Sequence, residues 1–135
     1  MDGRIRGASA GLALLAMTGA GAAGDPLTPY RWKARVLVVS APDPGDRALL
    51  TQRRALASVD AAARERDLVL IEALGDDARA QALRRRFGLP QDAFGAVLVG
   101  KDGGAKLTST EPIPPRKLFS TIDAMPMRRD EMRGR

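Results

Sequence analysis

The sequence contains no cysteine and no histidine. Without cysteine there can be no disulfide, no thiolate nucleophile and no soft sulfur ligand of the usual kind. Without histidine the side chain most often used as a general base near neutral pH, and as a zinc ligand, is missing too. Aromatic residues are scarce as well: one Trp, one Tyr and three Phe. Aliphatic side chains must therefore fill the core. Long apolar runs are also absent. The longest candidate, residues 7–23, is rich in Gly and Ala and falls short of the roughly 20 apolar residues a membrane span needs.

What is present is a basic chain of 135 residues with a net charge of +6, a length that suits one domain. Acidic and basic residues are interspersed, and no basic run exceeds Arg84-Arg85-Arg86. That reads as a solvated basic surface rather than a nucleic-acid footprint, and it lacks the interleaved aromatics of a base-stacking face. Residues 1–23 have the pattern of a cleavable export signal. Arg4 and Arg6 form a basic start, Gly11 to Met17 an apolar segment, and Ala20-Gly21-Ala22 a small-residue cleavage site. The expected location is the periplasm or the exterior, with no stable membrane anchor after cleavage and no contact with nucleic acid. The missing cysteine also excludes a lipid-anchored lipoprotein.

Residues 24–33, with Pro26 and Pro29, read as an extended leader. Tyr30 and Trp32 within it either cap one end of the core, the reading favoured here, or form a binding face. Residues 34–135 make up the expected domain. Three four-residue aliphatic runs, Val36–Val39, Leu68–Ile71 and Ala96–Val99, are continuous rather than alternating, as in strands covered on both faces. Residues 46–66 carry Leu49, Leu50, Leu56, Val59 and Ala63 at helical spacing. Residues 76–87 carry Ala80, Leu83 and Phe87, with Asp76 or Asp77 able to cap the start and Gly88 the end. The Lys101-Asp102-Gly103-Gly104 string before Ala105–Ser109 signals a hairpin. Pro112, Pro114 and Pro115 introduce a last helix with Leu118, Phe119 and Ile122. The expected fold is a single α/β domain of order β-α-β-α-β-β-α around a mixed sheet, which is a thioredoxin-like arrangement.

Two strings, Leu98 to Leu107 and Leu118 to Met132, resemble the domain of unknown function 4174 family of bacterial exported proteins. Related domains occur in vertebrate extracellular-matrix and sushi-repeat proteins. The resemblance runs from about Trp32 to Met132 and implies a thioredoxin- or peroxiredoxin-like fold. It assigns no catalytic residue.

In a redox-active relative the reactive cysteine lies in the loop after the first strand. Here that loop is Ser40-Ala41-Pro42-Asp43-Pro44-Gly45-Asp46, with no thiol, so thiol oxidoreductase and peroxidase chemistry are excluded. Asp46 reads as a helix cap, and Asp43 and Asp46 would oppose an anion at that helix start. The Lys101–Gly104 turn lacks the spacing of a phosphate loop. Glu72, Asp123 and Glu131 form no recognisable catalytic carboxylate pair, and no cofactor is called for. Met125, Met127 and Met132 are the one set of soft ligands, suited to Cu(I), although methionine more often fills gaps. Pro126 should end or kink the last helix, leaving Arg128 to Glu131 as a charged terminal segment, either a surface ion-pair cluster or a docking motif.

The expectation is a non-catalytic binding or adaptor module of the cell envelope with an envelope protein as partner, using Lys101, Asp102, Asp123, Arg128 and Arg129 as interaction residues. The alternatives are a cysteine-independent hydrolase or isomerase built on carboxylates, and Cu(I) binding by the methionines.

Overall fold

The aliphatic runs become the strands of one four-stranded sheet. A computed structural model describes residues 24–134; the expected signal segment, residues 1–23, lies outside them. The strands are β1 (Arg35–Ser40), β2 (Leu68–Ala73), β3 (Gly95–Val99) and β4 (Ala105–Ser109). Their spatial order is β2-β1-β3-β4. β1 runs parallel to β2 and antiparallel to β3, and β3 runs antiparallel to β4. Every residue of β1 and β3 is buried, which is why their sequences do not alternate. β4 is an edge strand, and its residues are exposed or half-buried.

The helices follow from the periodic segments between strands. They are α1 (Arg47–Ala57), α2 (Asp60–Glu65), α3 (Ala78–Phe87), α4 (Pro115–Asp123) and α5 (Pro126–Arg133). Asp46 caps α1 by accepting from the Leu49 amide at 3.1 Å, and Asp77 caps α3 by accepting from the Ala80 amide at 2.8 Å. Gly88 ends α3 in the left-handed region, at φ 66°. The hairpin forms as expected, with the Gly100 amide donating to Gly104 O at 2.9 Å and Gly103 at φ 86°.

The strands divide the core in two. Leu37, Val39, Ala96 and Leu98 face α1, α2 and α4 through Leu49, Leu56, Ala63, Leu118 and Ile122. Val36, Val38, Val97 and Val99 face α3 through Ala80 and Leu83. Burying each large aliphatic side chain contributes roughly 1.5–3 kcal/mol. The order and strand directions keep the expected β-α-β-α-β-β-α plan, consistent with a thioredoxin-like arrangement in a single α/β domain.

Four details differ from expectation. The helix expected over 46–66 breaks at Ser58–Val59: the Ser58 hydroxyl donates to Ala55 O at 2.7 Å and Val59 adopts φ −126°. The leader is not extended throughout, because Thr28–Tyr30 forms a 3-10 turn and Leu27 is buried in the α3-side core. Trp32 does not cap the core; it is 61% exposed, and only Tyr30 packs inward. The charged terminal segment, expected as a surface ion-pair cluster or a docking motif, is helix α5; its ion pairs form, but they gather on Arg128, its one buried residue, and on the half-buried Glu131. Among the described residues no helix is long and apolar enough to cross a membrane.

Candidate functional site

The first residue of β1 is a charged one placed where an aliphatic would ordinarily go. Arg35 is fully buried, and its guanidinium reaches across the end of the sheet to α5. Its Nη1 donates to Arg66 O at 2.9 Å and to Glu131 Oε1 at 3.2 Å, and its Nη2 to Glu131 Oε2 at 3.1 Å. Lys101, at the start of the β3–β4 turn, donates to the same Glu131 and to Asp67, each at 2.8 Å. Asp67 presents its carboxylate from a left-handed turn (φ 52°) ahead of β2, a conformation aspartate tolerates.

A second cluster continues the first. Arg128, 2% exposed, donates to Asp123 at 3.0 Å and to Glu65 at 2.8 Å. Arg66 donates to both oxygens of Asp123, at 3.1 and 2.9 Å, and lies over the Phe119 ring at 4.3 Å. α5 is therefore held to β1, to the α2–β2 turn and to the hairpin mainly by charge.

Burial opposes the charge on Glu131, but hydrogen bonds from Arg35 and Lys101 outweigh it and hold its pKa below the ordinary value. Asp123 behaves likewise: burial opposes its charge and Arg66 and Arg128 overcome that opposition. Asp102 is lowered chiefly by the Gly104 amide and then by Lys106. All three stay ionised at neutral pH. They act there as fixed charges and not as the near-neutral acids and bases of proton transfer.

Above this network lies a cavity of about 530 Å³. Trp32, Ala124, Met125, Pro126 and Met127 form its apolar wall, and Arg35, Lys101, Asp102 and Lys106 its polar floor. Trp32 stands at φ 68°, with its amide donating to Lys101 O at 2.7 Å. A bulky residue in the left-handed region costs about 1–2 kcal/mol, and such strain clusters at functional positions. Arg35 Nε, buried beside this cavity, has no hydrogen-bond partner among the described residues.

Of the residues expected to interact, Lys101, Asp123 and Arg128 come together in the ion network, and Lys101 also lines the cavity. Asp102 lines the cavity while shaping the turn, accepting from the Gly104 amide and from Lys106 Nζ at 2.9 Å each. Arg129 is exposed on α5, away from the network. Met125 and Met127 share the cavity, whereas Met132, 39% exposed, does not line it. Among the described residues no three His, Cys, Asp or Glu side chains are grouped to hold a metal. Glu72 pairs with Arg53, whose Nη2 donates to it at 2.6 Å; this hydrogen bond raises the Arg53 pKa.

Sequence reasoning missed Arg35, Arg66 and Asp67, and favoured a core cap over a binding face for Trp32. The signals available were the single tryptophan after a proline-rich leader and an arginine opening an otherwise aliphatic strand. The comparison with curated proteins returns no match. The model of one family, described as a domain of unknown function (DUF4174), matches residues 26–131, well over half the chain. The chain, with its mixed sheet and charge-fastened terminal helix, belongs to that DUF4174 family.

Proposed function

We propose that this domain is a non-catalytic binding module of the cell envelope, built on a redox-inactive thioredoxin-like scaffold, and that the Trp32–Met127 cavity receives an apolar side chain from an envelope protein. The observation that carries this reading is the strained, 61% exposed Trp32 at the mouth of an apolar cavity. Aromatic and methionine side chains are the usual anchors and adaptable walls of such sites. The rim favours an acidic neighbour to the apolar group. Arg31 and Lys33 flank Trp32 and Arg129 follows Met127 by two residues; all three are exposed, and none forms an ion pair among the described residues. Export rests on the basic start, apolar segment and Ala-Gly-Ala site of residues 1–23.

Because Trp32 is the only tryptophan, its fluorescence reports the site directly. The test uses 8-anilinonaphthalene-1-sulfonate, an apolar ring system with one negative charge. Saturable energy transfer from Trp32 to the probe is expected, with affinity at least about tenfold weaker in Met127→Gln, in line with loss of an apolar contact residue at the centre of a binding site. Affinity unchanged by that substitution would remove the cavity from the account.

A further inference from the structure

We propose that Arg84 marks a second binding site, for a single carboxylate, at the other end of the sheet. Arg84 projects from α3 and is 6% exposed. Its Nε donates to Ser40 Oγ at 2.8 Å, its Nη1 to Gly75 O at 2.6 Å and its Nη2 to Ala73 O at 2.9 Å. A guanidinium carries five N–H groups, so one N–H on each Nη is left over. All three acceptors are neutral, and among the described residues no carboxylate pairs with Arg84. The other two arginines buried among the described residues, Arg35 and Arg128, are each met by carboxylates. A buried cation without a counter-charge is costly, and an external anion would supply what is missing.

The surroundings indicate which anion. Arg84 lies in a cleft of about 820 Å³ that also exposes Pro42, Gly75 and Gln91. The cleft opens where the parallel strands β1 and β2 end, the place where open α/β sheets take ligands. The starts of α1 and α3 are already occupied by Asp46 and Asp77, so Arg84 is the donor on offer. Asp76 and Asp92 also line the cleft. Their charges oppose a dianion such as phosphate more strongly than a monoanion. A planar carboxylate, with two oxygens for two N–H groups, meets both requirements.

The test follows the Arg84 side-chain N–H resonances in the full chain labelled with ¹⁵N-arginine, titrated with sodium acetate against sodium chloride of equal ionic strength at neutral pH. Acetate is expected to shift them saturably. Inorganic phosphate should act more weakly, and the Asp76→Asn/Asp92→Asn variant should bind acetate about fivefold more tightly as repulsion is relieved. That variant leaves Arg84 in place, so the test does not depend on a protein that has lost its buried arginine. An acetylated tripeptide with a free C-terminus that binds much more tightly than acetate, while its amide does not bind, would assign the carboxylate to a peptide end. Equal binding of the tripeptide and acetate would assign it to a small acid. Resonances that respond to acetate no more than to chloride, in both the native chain and the double variant, overturn the proposal. So does phosphate acting as strongly as acetate on the native chain.

Discussion

The two ends of the sheet treat a buried arginine in opposite ways. At the start of β1, Arg35 is wrapped by Glu131, which Lys101 shares, and the network closes on itself through α5. At the end of β1, Arg84 is held by a hydroxyl and two backbone carbonyls, and among the described residues no carboxylate pairs with it, although Asp76 and Asp92 line the same cleft. The strand between them is six residues long, which separates the two ends by about 17 Å. At the first end the charge is internally balanced and builds structure, leaving the apolar wall above it as the part proposed to receive a partner. At the second end the charge itself is the unspent feature. A buried charge therefore says little about function until its partners are counted.

The largest effect that would sharpen this comparison is expected from Arg35→Met. It takes from the half-buried Glu131 its bidentate arginine and leaves it Lys101 as the main partner, and breaking a buried pair costs about 3–5 kcal/mol. Chemical denaturation should show a loss of that size. Arg84→Met strands no opposite charge, only oxygen acceptors beside an open cleft, and should cost about 1–3 kcal/mol. Equal losses in the two variants would break the comparison.

Acid should act more locally. Asp123 and Glu131 have pKa values depressed by folding, so the stability they provide is fully present above their unfolded values, about 4. It is lost as pH falls from there through the folded values. Amide exchange in α5 should accelerate over that range before exchange in α3 does, since α5 buries only Arg128 and α3 buries Ala80 and Leu83 as well. Simultaneous acceleration in both helices would contradict an ionic attachment of α5. The smallest effect belongs to Asp130→Asn, which removes only the exposed pair with Arg133 and should change stability by about 0.5 kcal/mol or less.

The sheet was legible in the sequence because its information is local. Val36–Val39 and Ala96–Val99 are aliphatic runs whose burial on both faces shows in their composition, Leu68–Ile71 is a similar run at the sheet edge with Val69 and Leu70 half-buried, and Asp102-Gly103 marks the hairpin turn. The caps Asp46 and Asp77 were legible for the same reason. The break at Ser58–Val59 was not, since neither residue is a strong helix breaker and the apolar spacing continues through it. Helix α5 was legible only as a charged segment after Pro126. What fixes it is long-range pairing, with Arg35 and Glu131 separated by 96 positions, and no local pattern encodes that. Gln52 was hidden similarly: it is fully buried, donating to Ile113 O at 2.9 Å and accepting from the Ile113 amide at 2.7 Å.

Met127 and Met132 provide the most direct test of the proposed binding site, because they are 38% and 39% exposed on the same helix while, of the two, only Met127 lines the cavity. A photo-crosslinking residue placed at each position in turn, in the full chain expressed in its native host, separates the cavity from general surface stickiness. A discrete envelope-protein adduct is expected from position 127, abolished by Trp32→Ala, and none from position 132. Identical adducts from both positions, or none from position 127, would contradict it.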